Sequence, residues 1–266
     1  MVAEKEVVTS RDGTPIAFWR SGTGPPLVLI HGATADHTTT WRSILAPLER
    51  RFTVCAMDRR GRGGSGDSAA YELAREADDV VAVLEAIDAP SSVIGHSFGG
   101  LCALEAALRT SRMAKLVLYE GVALRGADAY PLGVIDRLRG MIERGEVEGA
   151  LVAMMRDVAG MAEDEIDVLR SQTTAWQRRI DNARKVAREL EADASYVFDP
   201  RRFAEMRTPT MLLVGERSLP RELDNARGVA AALPTARVVV LPGQQHVAMH
   251  TDPELFVREV VRFLSE

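Results

Sequence analysis

Gly95-His96-Ser97-Phe98-Gly99-Gly100 is the stretch on which the reading of this chain turns. It follows a short apolar run, Ser92-Val93-Ile94, and precedes a segment rich in Ala and Leu, Leu101 to Leu108. A G-x-S-x-G pattern between a strand and a helix predicts a strained, tight turn that exposes the Ser97 hydroxyl. Side chains at 95 and 99 would collide across so tight a turn. The N–H of Phe98 falls at a helix start, where it can stabilise an oxyanion. A glycine-rich helix start with Ser97 as cap is the plainer alternative. Agreement of strand, turn and helix favours a nucleophile.

Working outward, short apolar runs recur along the chain. They include Val7-Val8-Thr9, Ile16-Ala17-Phe18-Trp19, Leu27-Val28-Leu29-Ile30, Phe52 to Met57, Leu116 to Tyr119, Met211 to Val214 and Val238 to Leu241. Several are apolar at consecutive positions, as expected of strands covered on both faces of a parallel sheet. Arg11-Asp12-Gly13-Thr14-Pro15 predicts a turn joining the first two runs as an antiparallel hairpin. Tyr71 to Ile87 carries apolar residues at helical spacing, and Thr251-Asp252-Pro253-Glu254 reads as a helix start with Pro at the first helical position. Strands alternating with helices predict an α/β fold: a doubly wound, mostly parallel, eight-stranded sheet. The alternation breaks from Val122 to Met206, where only helical pattern is found. The expected organisation is a core of residues 1–121 and 207–266, with 122–206 inserted as a helical cap over the carboxyl edge of the sheet.

Composition bounds the function. The chain has 266 residues, 46% hydrophobic and 27% charged, with a net charge of −5. These proportions fit a globular protein and lack the basic footprint of a nucleic-acid binder. Cys55 and Cys102 are the two cysteines, too few for a disulfide framework or a four-cysteine zinc site. The stretch Met1 to Glu6 is polar and lacks an apolar signal-peptide core, and no apolar run approaches the ~20 residues of a membrane span. The expectation is a cytoplasmic protein without a membrane partner. No histidine–carboxylate cluster has ligand spacing, so neither metal nor cofactor is expected.

With these motifs the chain resembles the α/β-hydrolase fold family. His31-Gly32-Ala33, directly after the third run, is similar to the family's oxyanion loop, which implies the Ala33 N–H as second donor beside that of Phe98. His31 itself reads as structural. Asp58-Arg59-Arg60-Gly61-Arg62-Gly63-Gly64-Ser65 resembles the D-x-R-G-x-G-x-S loop of the family. Its charges read as structural, since no Lys-Ser/Thr follows the glycines as a phosphate loop requires. The family's base lies in a G-x-G-H loop after the last strand. Here Gly243-Gln244-Gln245-His246 makes His246 the base, with Gln245 replacing the second glycine. His250 is a rival, and His96 is read as structural. The family's acid usually closes a G-x-x-D pattern after the seventh strand. This chain has Gly215-Glu216-Arg217-Ser218, and Ser218 carries no charge. Some members, including certain haloalkane dehalogenases, take the acid from the end of the sixth strand. That points to Glu120, with Glu216 as the rival.

A serine at the elbow implies acyl chemistry on a carbonyl, through an acyl-enzyme. Esters, lactones and thioesters fit. The expected activity is that of a carboxylesterase-like serine hydrolase acting on a medium-sized, mostly apolar small molecule. A biosynthetic tailoring enzyme (lactonase, cyclase or C–C bond hydrolase) stays open, as does a small-molecule receptor. Specificity is expected in the cap, whose larger apolar residues include Tyr130, Leu132, Met154, Met155, Met161 and Trp176. Thr34, His37, Thr38 and Trp41 are expected near the entrance. Of these, Thr34, Trp41, Met154 and Trp176 are the expected pocket residues.

Overall fold

A computed structural model describes residues 3–125 and 130–266; Met1 and Val2 of the polar N-terminal stretch lie outside them. Eight strands form one sheet: β1 (Glu4–Thr9), β2 (Pro15–Gly22), β3 (Pro26–Ile30), β4 (Thr53–Met57), β5 (Ser91–His96), β6 (Met113–Tyr119), β7 (Thr210–Gly215) and β8 (Ala236–Leu241). Their order is β1-β2-β4-β3-β5-β6-β7-β8. The β1–β2 hairpin and the β2–β4 pair are antiparallel, and every other pair is parallel. Burial explains the sequence pattern. All six residues of β7 are buried, whereas β1 and β8 lie at the edges and leave part of their residues in solvent.

Short helices α1 (His37–Thr40) and α2 (Leu45–Glu49) follow β3, α3 (Leu73–Ile87) follows β4, and α4 (Phe98–Ala107) follows β5. Helix α4 is wholly buried, between the sheet and α3. Among the described residues, five α-helices lie between β6 and β7: α5 (Val134–Glu143), α6 (Val147–Ala153), α7 (Glu163–Arg170), α8 (Thr173–Ala183) and α9 (Val186–Ala194). A π-turn at Met154–Val158 continues α6. These helices pack chiefly on one another and meet the rest of the chain through α8 on α1, α7 on the later α11, and ion pairs of α9 with the loop after β4. Among the described residues of this stretch, the sole extended pairing is an isolated bridge between Arg125 and Val197. The chain closes with α10 (Pro220–Ala232), α11 (Ala248–Thr251) and α12 (Pro253–Ser265). Asp252 caps α12 by accepting from the Leu255 N–H at 3.0 Å, with Pro253 in the first turn.

The arginine-rich loop after β4 is interior. Arg59 is fully buried between Glu76 of α3 and Glu189 of α9, at 2.7 and 2.9 Å, and Arg60 pairs with Asp79 at 2.7 Å. Removing one member of such a pair strands a buried charge, which typically costs about 3–5 kcal/mol. The loop therefore ties α9 to the sheet. Among the described residues no helix is long and apolar enough to cross a membrane.

Candidate active site

The site is built at the carboxyl ends of β3, β5, β6, β7 and β8, the last of which leads into the loop that carries His246. Ser97 has φ 51° and ψ −133°, outside the regions that a non-glycine residue adopts easily. Its N–H is held by the Tyr119 carbonyl at 2.9 Å, and its own carbonyl accepts from Gly100 at 2.7 Å. The glycines allow this turn in two different ways. A Cβ at Gly95 would meet Gly99 and Gly100 across the turn, as expected. One at Gly99 would instead sit 2.4 Å from the His31 carbonyl oxygen, so that glycine permits the elbow to touch the loop after β3. Thr34 (φ 59°) and Glu120 (φ 45°) are also in the left-handed region. With Asp88, these are the four such non-glycine residues described; Ser97 and Glu120 line one cavity, and Thr34 directly follows Ala33, which lines it too. Strain concentrated in this way is a mark of functional sites.

Glu120 directly follows β6. Its side chain is 1% exposed and takes three hydrogen bonds. Oε1 accepts from the Gly215 N–H at 2.8 Å and from the Ser218 hydroxyl at 2.5 Å, and Oε2 lies 2.8 Å from His246 Nδ1. A carboxylate accepting three donors holds its orientation without help from its own torsions. Ser218, which stands where an Asp is usual in the family, here donates to the carboxylate.

His246 is fixed by the loop that carries it. Its carbonyl lies 2.9 Å from His96 Nε2, the Tyr119 hydroxyl donates to the Gln245 carbonyl, and the Val247 N–H donates to Glu165 Oε1 at 3.1 Å. Burial lowers the His246 pKa, but the hydrogen bond and charge of Glu120 raise it more, and the net shift is upward. His96 goes the other way: burial, then the neighbouring His246, push it well below the ordinary range and keep it neutral. His31 is neutral as well, bridging the Gly32 carbonyl (2.8 Å) and the Arg59 N–H (3.0 Å).

Ser97, His246, Glu120, Ala33 and Phe98 line one cavity of about 70 Å³. Phe98 opens α4, so its N–H has no acceptor within the helix. Of the four expected pocket residues, the cavity wall includes Met154 and not Thr34, Trp41 or Trp176. Trp41 is wholly buried, edge-on to His96 at 6.5 Å. Trp176 turns its Nε1 to Glu148 at 2.8 Å, among the inserted helices. Thr34 is 2% exposed in its strained corner. His37, expected at the entrance, stacks on Trp19 at 3.5 Å and meets Asp58 at 2.9 Å. His250 faces Ser43 at 3.2 Å and does not line the cavity. Glu216, the rival acid, is exposed and accepts from the Gly243 N–H at 2.8 Å.

The cavity differs from the apolar chamber expected from the composition of the inserted stretch. Alongside Met154, Val158 and Leu190 it is lined by Glu189, Asp193, Arg221 and Glu222. Sequence reasoning missed these four. A signal was present in α9, where Glu189 and Asp193 are four residues apart and share a face with Leu190 beside them. Among the described residues no group of three His, Cys, Asp or Glu is arranged to hold a metal ion.

A family model described as "Alpha/beta hydrolase family" matches residues 27–259. The chain belongs to the alpha/beta hydrolase family. It is 28% identical to a pimeloyl-[acyl-carrier protein] methyl ester esterase of Nitrosomonas europaea, over 89% of this chain and 94% of that protein. It is 23% identical to a 2-hydroxy-6-oxo-6-(2'-aminophenyl)hexa-2,4-dienoic acid hydrolase of Metapseudomonas resinovorans, over 95% of this chain and 88% of that one. Among solved structures, an alpha/beta hydrolase from Sphaerobacter thermophilus superposes with a TM-score of 0.82 at 30% identity, covering 97% of this chain and 100% of that chain. This alpha/beta hydrolase thus has both esterases and other hydrolases among its relatives.

Proposed function

We propose that this chain is a serine hydrolase that cleaves a small carboxylic ester, lactone or thioester through Ser97, His246 and Glu120. The observation that carries the reading is the Glu120–His246 contact of 2.8 Å in the same cavity wall as the strained Ser97. Glu120 fixes the tautomer with Nδ1 protonated, which leaves Nε2 free to accept a proton. Ser97 Oγ attacks the carbonyl carbon as His246 takes its proton. The N–H groups of Ala33 and Phe98 receive the oxyanion. The imidazolium returns the proton to the departing alkoxide, leaving an acyl-enzyme. Water then attacks the acyl carbon by the same route and releases the acid. Residues 122–206 act as a cap over a core of 1–121 and 207–266, and the cavity size selects short acyl groups. The esterase of Nitrosomonas europaea supports the ester reading. The similarity to a dienoic acid hydrolase keeps C–C bond cleavage by the same three residues as the second reading.

The test is hydrolysis of p-nitrophenyl acetate, butyrate and octanoate by the wild type and by Ser97→Ala. Turnover of acetate and butyrate should exceed that of octanoate, and it should vanish with Ser97. Activity surviving in Ser97→Ala would overturn the assignment. A wild type inert on all three would move weight to the second reading.

A further inference from the structure

Glu165 of α7 is a buried carboxyl to which the ester mechanism gives no part. It is 3% exposed and, among the described residues, has no cationic partner. Taking a carboxyl out of water without a cation is costly. The other buried residues of α7, Ile166 and Leu169, are apolar, and an apolar residue at 165 would pack α7 on α11 without that cost. The carboxyl instead accepts the Val247 N–H on Oε1 at 3.1 Å, at the residue directly after His246. From the sheet, Tyr119 and His96 hold the same loop. The Tyr119 hydroxyl donates to the Gln245 carbonyl and accepts from the Ala248 N–H at 3.1 Å, and His96 Nε2 donates to the His246 carbonyl at 2.9 Å. Glu165 supplies its tie from the inserted helices. Tyr119 and Glu120 from β6 and its end, neutral His96 from β5, Glu165 from α7 and Glu222 from α10 are the titratable groups about His246. Burial lowers the affinity of His246 for a proton; the Glu120 contact and charge, then the charges of Glu165 and Glu222, raise it. Burial raises the pKa of Glu165 itself; the Val247 N–H and then the His246 charge oppose this, and Glu120 adds to it.

We infer that Glu165 is a positioning residue for the base: it holds the Val247 peptide so that His246 stays against Glu120, and it sets a further negative charge beside the imidazolium. The imidazolium forms as His246 takes the Ser97 proton, so a charge that favours it acts on the chemical step rather than on substrate binding. Because α7 belongs to the inserted helices, the base is complete only while those helices are seated on α11. This inference rests on the reading of His246 as the base of an ester hydrolase and adds one residue to it.

The experiment uses two variants. Glu165→Gln keeps an acceptor for the Val247 N–H and loses the charge, whereas Glu165→Ala loses both. One readout is the pH profile of kcat/KM for p-nitrophenyl butyrate. The other is an NMR titration of the His246 imidazole in the Ser97→Ala background, which needs no substrate. In Glu165→Gln both the acid limb and the imidazole titration should move to lower pH by about half a unit, with kcat on the alkaline plateau within about fivefold of the wild type. Glu165→Ala leaves the Val247 N–H unpaired and should lose about ten- to a hundredfold in kcat, with KM within about twofold. A carboxyl that merely stapled α7 to α11 would leave the imidazole titration where it is. Should Glu165→Ala prove unfolded by circular dichroism, Glu165→Gln decides alone. A His246 titration unmoved in Glu165→Gln, or a loss in folded Glu165→Ala carried by KM with kcat intact, would overturn the inference. If the wild type cleaves no ester while the titration still moves in Glu165→Gln, the positioning stands and the ester-hydrolase reading falls.

Discussion

Glu120→Gln changes one atom type and tests the reading of the acid. The wild-type carboxylate accepts from three donors: the Gly215 N–H (2.8 Å) and the Ser218 hydroxyl (2.5 Å) on Oε1, and His246 Nδ1 (2.8 Å) on Oε2. Glutamine offers one oxygen and one NH₂. If the oxygen faces His246, the NH₂ confronts the Gly215 amide, which cannot change its role, and one buried donor is left unpaired at about 1–3 kcal/mol. If the oxygen faces Gly215 and Ser218, the NH₂ confronts His246, which can answer by moving its proton to Nε2. The second arrangement wins. It presents Ser97 with an N–H where a base is needed, and the charge that stabilises the imidazolium is gone. The loss expected for a histidine held in the wrong tautomer is about 10⁴-fold in kcat, or about 5 kcal/mol. The assay is initial-rate hydrolysis of p-nitrophenyl butyrate, with circular dichroism to establish that the variant is folded. Glu216→Gln, at an exposed side chain, should retain near-normal rates. A folded Glu120→Gln within about tenfold of the wild type would refute the tautomer argument.

Two further outcomes follow from the charges. The base must be neutral to act, and the Glu120 contact raises the His246 pKa above its ordinary 6.5. The acid limb of kcat/KM should therefore rise with pH through an inflection above 6.5, and one at or below that value would contradict the pairing. Asp193 holds its proton up to about 7, against 3.8 for an ordinary Asp. The unfolded chain ionises first, so the folded state loses stability as pH rises from about 4 to about 7, by at most about 4 kcal/mol. Asp193→Asn should then melt above the wild type at pH 8, with the gap narrowing towards pH 5; a gap that does not depend on pH would refute this.

How much was legible in the sequence follows from what fixes each residue. The sheet was legible because strands covered on both faces must be apolar at consecutive positions, as β7, buried at all six, is from Met211 to Val214. The elbow was legible because backbone approach there excludes side chains; the contact of Gly99 with the His31 carbonyl admits no Cβ. The cavity wall was not. Which face of an inserted helix turns inward is decided by packing against distant partners, and residue type alone favoured Thr34, Trp41 and Trp176, which the wall lacks, along with Met154, which it has. Trp176 found a hydrogen-bond acceptor in Glu148 and Trp41 was absorbed into the core, while Glu189 of α9 was held inward by Arg59, reached from a loop about 130 residues earlier. A buried Arg–Glu contact of that separation leaves no mark on local hydrophobic periodicity.

The placement of the proposed acid has a physical logic that joins Glu120 to Ser218. β6 and β7 are parallel neighbours with Tyr119 opposite Leu213, so Glu120 begins one strand spacing from the place where a residue after β7 would start. Neighbouring strands lie about 4.8 Å apart, and the extra methylene of Glu over Asp helps to span that gap. The carboxylate then meets the Gly215 amide, on the strand that usually supplies the acid itself. Only one carboxylate can be charged there. An Asp at 218 would stand against Glu120 Oε1, where the Ser218 hydroxyl now donates at 2.5 Å, and two acids so close cannot both ionise. A donor at 218 and an acid at 120 are thus a matched pair. Moving the acid back should require both changes at once: Ser218→Asp alone weakens the base by trapping a proton between the two carboxyls, while Glu120→Ala/Ser218→Asp restores one charge facing His246.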